Sequence, residues 1–145
     1  MTLGEARAEL RQLVRDGERC PCCDQFAKVY RRKLNSGMAR SLIAMWRTAG
    51  TSWVHVPTAL DARSREEGKL RYWGLVVESD EERDDGGRAG WWQVTDLGAQ
   101  FVLGQLRVPQ YAHVYDGRCL GLHGDPVMIR DCLTDRFSYE ELMGR

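Results

Sequence analysis

The 145-residue chain has room for one ordinary domain with short extensions, and its 43% hydrophobic and 29% charged residues suit a packed core. Basic and acidic residues number 21 each, so the net charge is zero and a uniformly basic surface is excluded. No apolar run approaches the ~20 residues of a membrane span, and the charged residues 1–19 lack the apolar centre of a secretion signal.

A cytoplasmic chain with no membrane partner and with reduced cysteines is therefore expected. The neutral total hides an uneven distribution. Between Arg19 and Arg47 stand seven basic residues against the single acid Asp24, whereas Glu78 to Asp85 holds six acids against Arg83.

In chain order, Leu3, Ala6, Leu10, Leu13 and Val14 fall at helical spacing, so residues 3–15 predict a first helix, ended by Gly17. The knot Cys20-Pro21-Cys22-Cys23-Asp24 follows. A basic stretch, 28–33, leads to Asn35 and Ser36, either of which can cap the amphipathic helix carrying Met38, Leu42, Met45, Trp46 and Ala49 up to Gly50. Trp53-Val54-His55-Val56 reads as a short strand, Pro57 as the first turn of a short helix, and residues 64–73 as a third helix closed by Gly74.

Leu75-Val76-Val77 and Trp91-Trp92-Gln93-Val94 read as two strands around an acidic, glycine-containing loop. Thr95 or Asp96 then caps a helix carrying Leu97, Phe101, Val102 and Leu106. Asp116-Gly117 marks a hairpin between residues 111–115 and 118–122, and short helices with Cys132 and Tyr139 close the chain. The expected class is α+β, with residues 1–35 as an N-terminal helix and Cys-rich knot, 36–107 as the core, and 108–145 as a hairpin and helical extension.

Chemistry-bearing patterns are few. There is no phosphate-cradling glycine loop, no paired-carboxylate arrangement and no Ser-His-Asp order, and the histidines at 55, 113 and 123 are scattered; the chain does not read as an enzyme. Cys20 and Cys23 have C-x-x-C spacing, which brings two thiolates to one metal, and the proline after Cys20 resembles a zinc knuckle. That resemblance implies a structural zinc with Cys20 and Cys23 as ligands. Asp24 stands where such a knuckle usually has glycine, and no second C-x-x-C supplies the other two ligands. The alternative is a metal-free tight turn. Strand alternation puts Cys119 on one face with Ala112 and Val114, so Cys119, like Cys132, reads as a small core residue, and it puts His123 on the same face as Cys119.

The segment Lys69-Leu70-Arg71-Tyr72-Trp73-Gly74-Leu75-Val76 resembles the end of a recognition helix running into the wing of winged helix-turn-helix regulators of the MarR and PadR kind. The string from Gly87 through Trp91, Thr95 and Gly98 resembles their wing-return strand and following helix. The wider pattern, from the cysteine knot through Arg32-Lys33-Leu34-Asn35, is similar to small phage-encoded proteins of this kind. The resemblance implies a DNA-binding transcriptional regulator that dimerises and lays its third helix in the major groove of double-stranded DNA. Carried over by position, Arg63, Ser64, Arg65, Lys69 and Arg71 would lie on that helix, Arg88 on the wing, and Arg31, Arg32 and Lys33 would add backbone contacts. The acidic loop opposes this, since carboxylates weaken phosphate binding. A winged-helix module docking on a protein, such as a phage factor bound to a host protein, is the second expectation.

Overall fold

A computed structural model describes residues 2–14, 17–61, 65–81 and 90–144. The centre of the molecule is α2 (Ser36–Ala49). Asn35 starts it by accepting the Met38 amide on its side-chain oxygen at 3.0 Å, and Gly50, at φ 58°, stops it. Met38, Ala39, Leu42, Ile43 and Met45 are all fully buried, so two adjacent stripes of the helix face the core.

Two three-stranded antiparallel sheets flank this helix. The first runs in the order β4-β6-β5, with β4 (Trp53–His55), β5 (Val76–Glu78) and β6 (Trp91–Val94). Val54 faces Trp92, and Val76 faces Val94, so these buried side chains line the core side. Between β4 and β5 lie the short α3 (Val56–Ala59), the single turn α4 (Glu67–Leu70) and a 3-10 turn, Arg71–Trp73, that ends at left-handed Gly74. The helix expected over 64–73 is thus one α-turn followed by 3-10 geometry; residues 62–64 lie outside the described residues.

After β6, Thr95 caps α5 (Asp96–Val102): its hydroxyl accepts the Gly98 amide and donates to the Gly74 carbonyl at 2.7 Å. Gly98 is required by close approach, because a β-carbon there would sit 2.1 Å from the Leu75 carbonyl oxygen. Leu106, expected in this helix, lies beyond its end.

The second sheet, β3-β7-β8, joins both ends of the chain: β3 (Tyr30–Lys33), β7 (Val108–Tyr115) and β8 (Arg118–Val127). The basic stretch expected to be a connection is this edge strand, paired with β7 from Tyr30↔Val114 to Lys33↔Tyr111. The expected hairpin is present and longer. Asp116 and Gly117 form its turn at φ 50° and 71°, as a two-residue type I′ turn needs.

Cys119 is exposed, contrary to the core reading. It pairs with Val114, as alternation expects, but the register slips between Val114 and His113 and pairs His123 with Tyr111, so Cys119 and His123 fall on opposite faces. Cys132, on α6 (Ile129–Cys132), is buried as expected.

One hydrophobic cluster runs from Leu34 through α2 and the first sheet to Phe101, Ala112, Val114, Ile129 and Tyr139. Each large buried side chain contributes roughly 1.5–3 kcal/mol relative to exposure. Two long-range hydrogen bonds tie the C-terminal segment down: Trp73 Nε1 donates to the Pro109 carbonyl (2.7 Å), and the Tyr139 hydroxyl, on α7 (Tyr139–Leu142), donates to the Val102 carbonyl (2.5 Å). By contrast α1 (Leu3–Leu13), capped by Thr2 and Glu5, buries only Ala6. The molecule is α+β, and no helix of the described residues is long and apolar enough to cross a membrane.

Candidate nucleic-acid interface

β3 is extended because Leu34 anchors its end in the core, its amide donating to the Gln110 carbonyl at 2.9 Å, while the strand itself lies on an open sheet edge. All four of its residues are exposed. Alternation places Arg31 and Lys33 on the face carrying Tyr111 and His113, and Arg32 on the face carrying Tyr30. The Arg31 guanidinium sits 3.6 Å from the Tyr111 ring centre, and Arg32 and Lys28 lie 5.5 and 5.7 Å from that of Tyr30. These rings orient the cations without neutralising them. Among the described residues, no carboxylate forms an ion pair with Arg31, Arg32 or Lys33.

The cations on and around α4 are placed differently. Lys69 pairs with Glu66 at 3.0 Å, and Arg65 stands 3.7 Å from Glu67, whose carboxylate is almost wholly buried. Arg71 turns to the C-terminal hairpin, its guanidinium 3.4 Å from the Tyr72 hydroxyl and 3.5 Å from the Gly117 carbonyl. Arg63, Ser64 and Arg88 lie outside the described residues. The described positions expected on the third helix therefore lie around α4 and its 3-10 turn, with Arg65 and Lys69 near acids and Arg71 turned to the hairpin. Arg31, Arg32 and Lys33, expected as added backbone contacts, form a row on β3 that no described acid offsets.

The cysteine knot is the tip of a small hairpin, β1 (Glu18–Arg19) with β2 (Phe26–Ala27). The Cys20 amide donates to the Gln25 carbonyl, and the Asp24 amide donates to the Cys20 carbonyl, both at 2.8 Å, closing the turn. Asp24 adopts φ 63°, the left-handed conformation that glycine usually supplies in a zinc knuckle. Backbone amides of Cys23 and then Cys22, followed by the Cys23 side chain, donate toward the Cys20 sulfur and hold its thiol below the ordinary range. Cys22 and Cys23 are exposed, and among the described residues no three His, Cys, Asp or Glu side chains gather into a metal-binding group.

Some groups at these surfaces carried little sequence signal. His113 and His123 stack at 4.1 Å between ring centres on the Arg31 face of the second sheet, which only the bulged register brings about. On the outer face of the first sheet Trp53, Trp91 and Val77 are exposed, and both tryptophans line one cleft with Ser79 and Glu81. His55 is bound locally, its Nδ1 2.7 Å from the Thr58 hydroxyl, in keeping with a structural role. No family profile, curated protein or solved structure gives a significant match to the chain.

Proposed function

We propose that the chain is a winged-helix protein that binds double-stranded DNA, as a transcriptional regulator does, with β3 as its main phosphate-contacting element. The winged-helix reading is supported by the order α2, β4, α3, α4, β5, β6, α5 and by the strand order β4-β6-β5, with β5 and β6 paired antiparallel as the two strands of a wing would be. The observation that carries the binding reading is the row Arg31-Arg32-Lys33: three exposed cations on one edge strand, with no acid paired to them among the described residues. Arg65 and Lys69 are secondary contacts, because Glu66 and Glu67 offset them.

The test is fluorescence polarisation of a labelled duplex titrated with the chain at several salt concentrations. Binding that weakens steeply with salt is expected. No binding at low salt would refute the proposal.

A second reading, a module that docks on a protein, is favoured by the exposed Trp53 and Trp91 beside Glu81. It predicts a stoichiometric partner that survives nuclease treatment and is lost in Trp53→Ala/Trp91→Ala, while Arg31→Ala/Lys33→Ala retains it.

A further inference from the structure

The β1–β2 tip has half of a zinc site. Two thiols three residues apart sit on a turn closed by the Cys20 amide on the Gln25 carbonyl and the Asp24 amide on the Cys20 carbonyl. The left-handed Asp24 lets the chain complete that turn without glycine. Zinc in a closed site takes four ligands in a tetrahedron, with sulfur at about 2.3 Å. The described part of this chain brings no third ligand to the pair.

The surroundings of the tip point to what completes it. The hairpin projects beside α1 and the β7–β8 turn, bordering a cleft of about 300 Å³ that Cys20 and Cys23 line with Phe26, Tyr30 and Tyr115. A second, more apolar cleft of about 500 Å³ adjoins it through the shared Leu10 and Tyr115, and is lined also by Val14, Val29 and Leu120. Phe26 is 55% and Leu120 60% exposed, which leaves an apolar surface open next to the two thiols. A second copy of the chain supplies both missing components: two more thiolates, and an identical apolar surface to cover this one. A two-fold interface is self-complementary, so the same patch faces itself across the axis. With zero net charge, two copies approach without overall repulsion.

We propose that one zinc ion joins two copies of this chain, held by the thiolates of Cys20 and Cys23 from each, with the neighbouring apolar surface buried between them. On binding, four thiols release four protons to solvent and the ion becomes a tetrathiolate carrying two negative charges. Lys28 on the same cleft offsets part of that charge, while Asp116 at its other side adds to it. Cys22 and Cys119 take no part. The metal ligands of this proposal are on the β1–β2 hairpin and none is a proposed phosphate contact, although Tyr30 of β3 borders the same cleft.

The test uses the full chain, reduced with a phosphine and stripped of metal, titrated with zinc chloride and, in parallel, with cobalt chloride. Mass is followed by light scattering and metal content by emission spectroscopy. Expected is a doubling of mass complete at one metal per two chains, reversal by chelator, and a cobalt spectrum with the charge-transfer intensity of four thiolates. Cys20→Ser and Cys23→Ser should each abolish metal uptake and dimer together, with far-UV dichroism unchanged, while Cys22→Ser and Cys119→Ser retain both. One metal per monomeric chain, no metal uptake, a dimer indifferent to chelator, or loss of binding in Cys22→Ser with retention in Cys23→Ser would each overturn it.

Discussion

Arg31→Ala/Lys33→Ala is the most direct challenge to the proposed interface. The two residues share one face of β3, so a single stretch of phosphate backbone can meet both, and neither is committed to a carboxylate among the described residues. Each cation that neutralises one phosphate contributes about 0.9 to the slope of log affinity against log salt, so removing two should flatten that slope by about 1.8. Between about 50 and 200 mM salt the concentration changes fourfold, and four raised to 1.8 is about twelve. The affinity ratio of wild type to variant should therefore shrink about twelvefold across that range. The assay is a polarisation titration of one duplex at four or more salt concentrations for both proteins. The side chains are exposed, so melting temperatures should agree within a degree or two. Parallel salt slopes for the two proteins would show that neither residue meets phosphate, and would sink the assignment of β3.

Three further outcomes follow from particular contacts. Glu66→Gln frees Lys69 from its 3.0 Å ion pair and should raise duplex affinity by a factor of about two to five at low salt; unchanged affinity would take α4 out of the interface. Gly98→Ala would put a β-carbon 2.1 Å from the Leu75 carbonyl, so urea denaturation should show a loss of roughly 2 kcal/mol or more despite alanine's better helix propensity, and a neutral result would refute the close packing of α5 on that turn. Burial pushes the Cys132 thiol from 9.0 up to about 12 in the folded chain. The stabilisation from keeping it protonated is full below pH 9.0, the unfolded value, and is lost as pH rises toward the folded value of about 12. Stability measured against pH should thus decline above pH 9 more steeply for wild type than for Cys132→Ala, and superimposable alkaline limbs would contradict the burial argument.

Much of the fold was readable wherever local chemistry decides it. Asn35 and Thr95 cap their helices because a short polar side chain reaches the amide three residues on, and Asp116-Gly117 turns because both residues accept positive φ. The basic strand was not readable for a physical reason. A half-buried strand shows apolar alternation, but Tyr30-Arg31-Arg32-Lys33 is exposed on both faces, and its pairing comes from β7, far along the chain. Cys119 keeps the expected pairing with Val114 yet is exposed near the hairpin tip, whereas His123 misled because alternation presumes an unbroken ladder. The slip between His113 and Val114 moves Gly121 to His123 to the other face, and a second slip between Pro109 and Tyr111 restores it.

The zero net charge was the strongest compositional argument against nucleic-acid binding, and the ion-pair pattern changes its weight. Charges cancel only where they meet: Glu66 and Glu67 are close enough to offset Lys69 and Arg65, but no described acid reaches Arg31, Arg32 or Lys33. At about 8–10 Å of Debye screening in ordinary buffers, acids elsewhere on the surface weaken the field of β3 little at its own face. A neutral chain can therefore present a local cation row to phosphate. The cations that no described acid offsets thus lie not on the helix that the winged-helix resemblance singled out but on a strand just before the core.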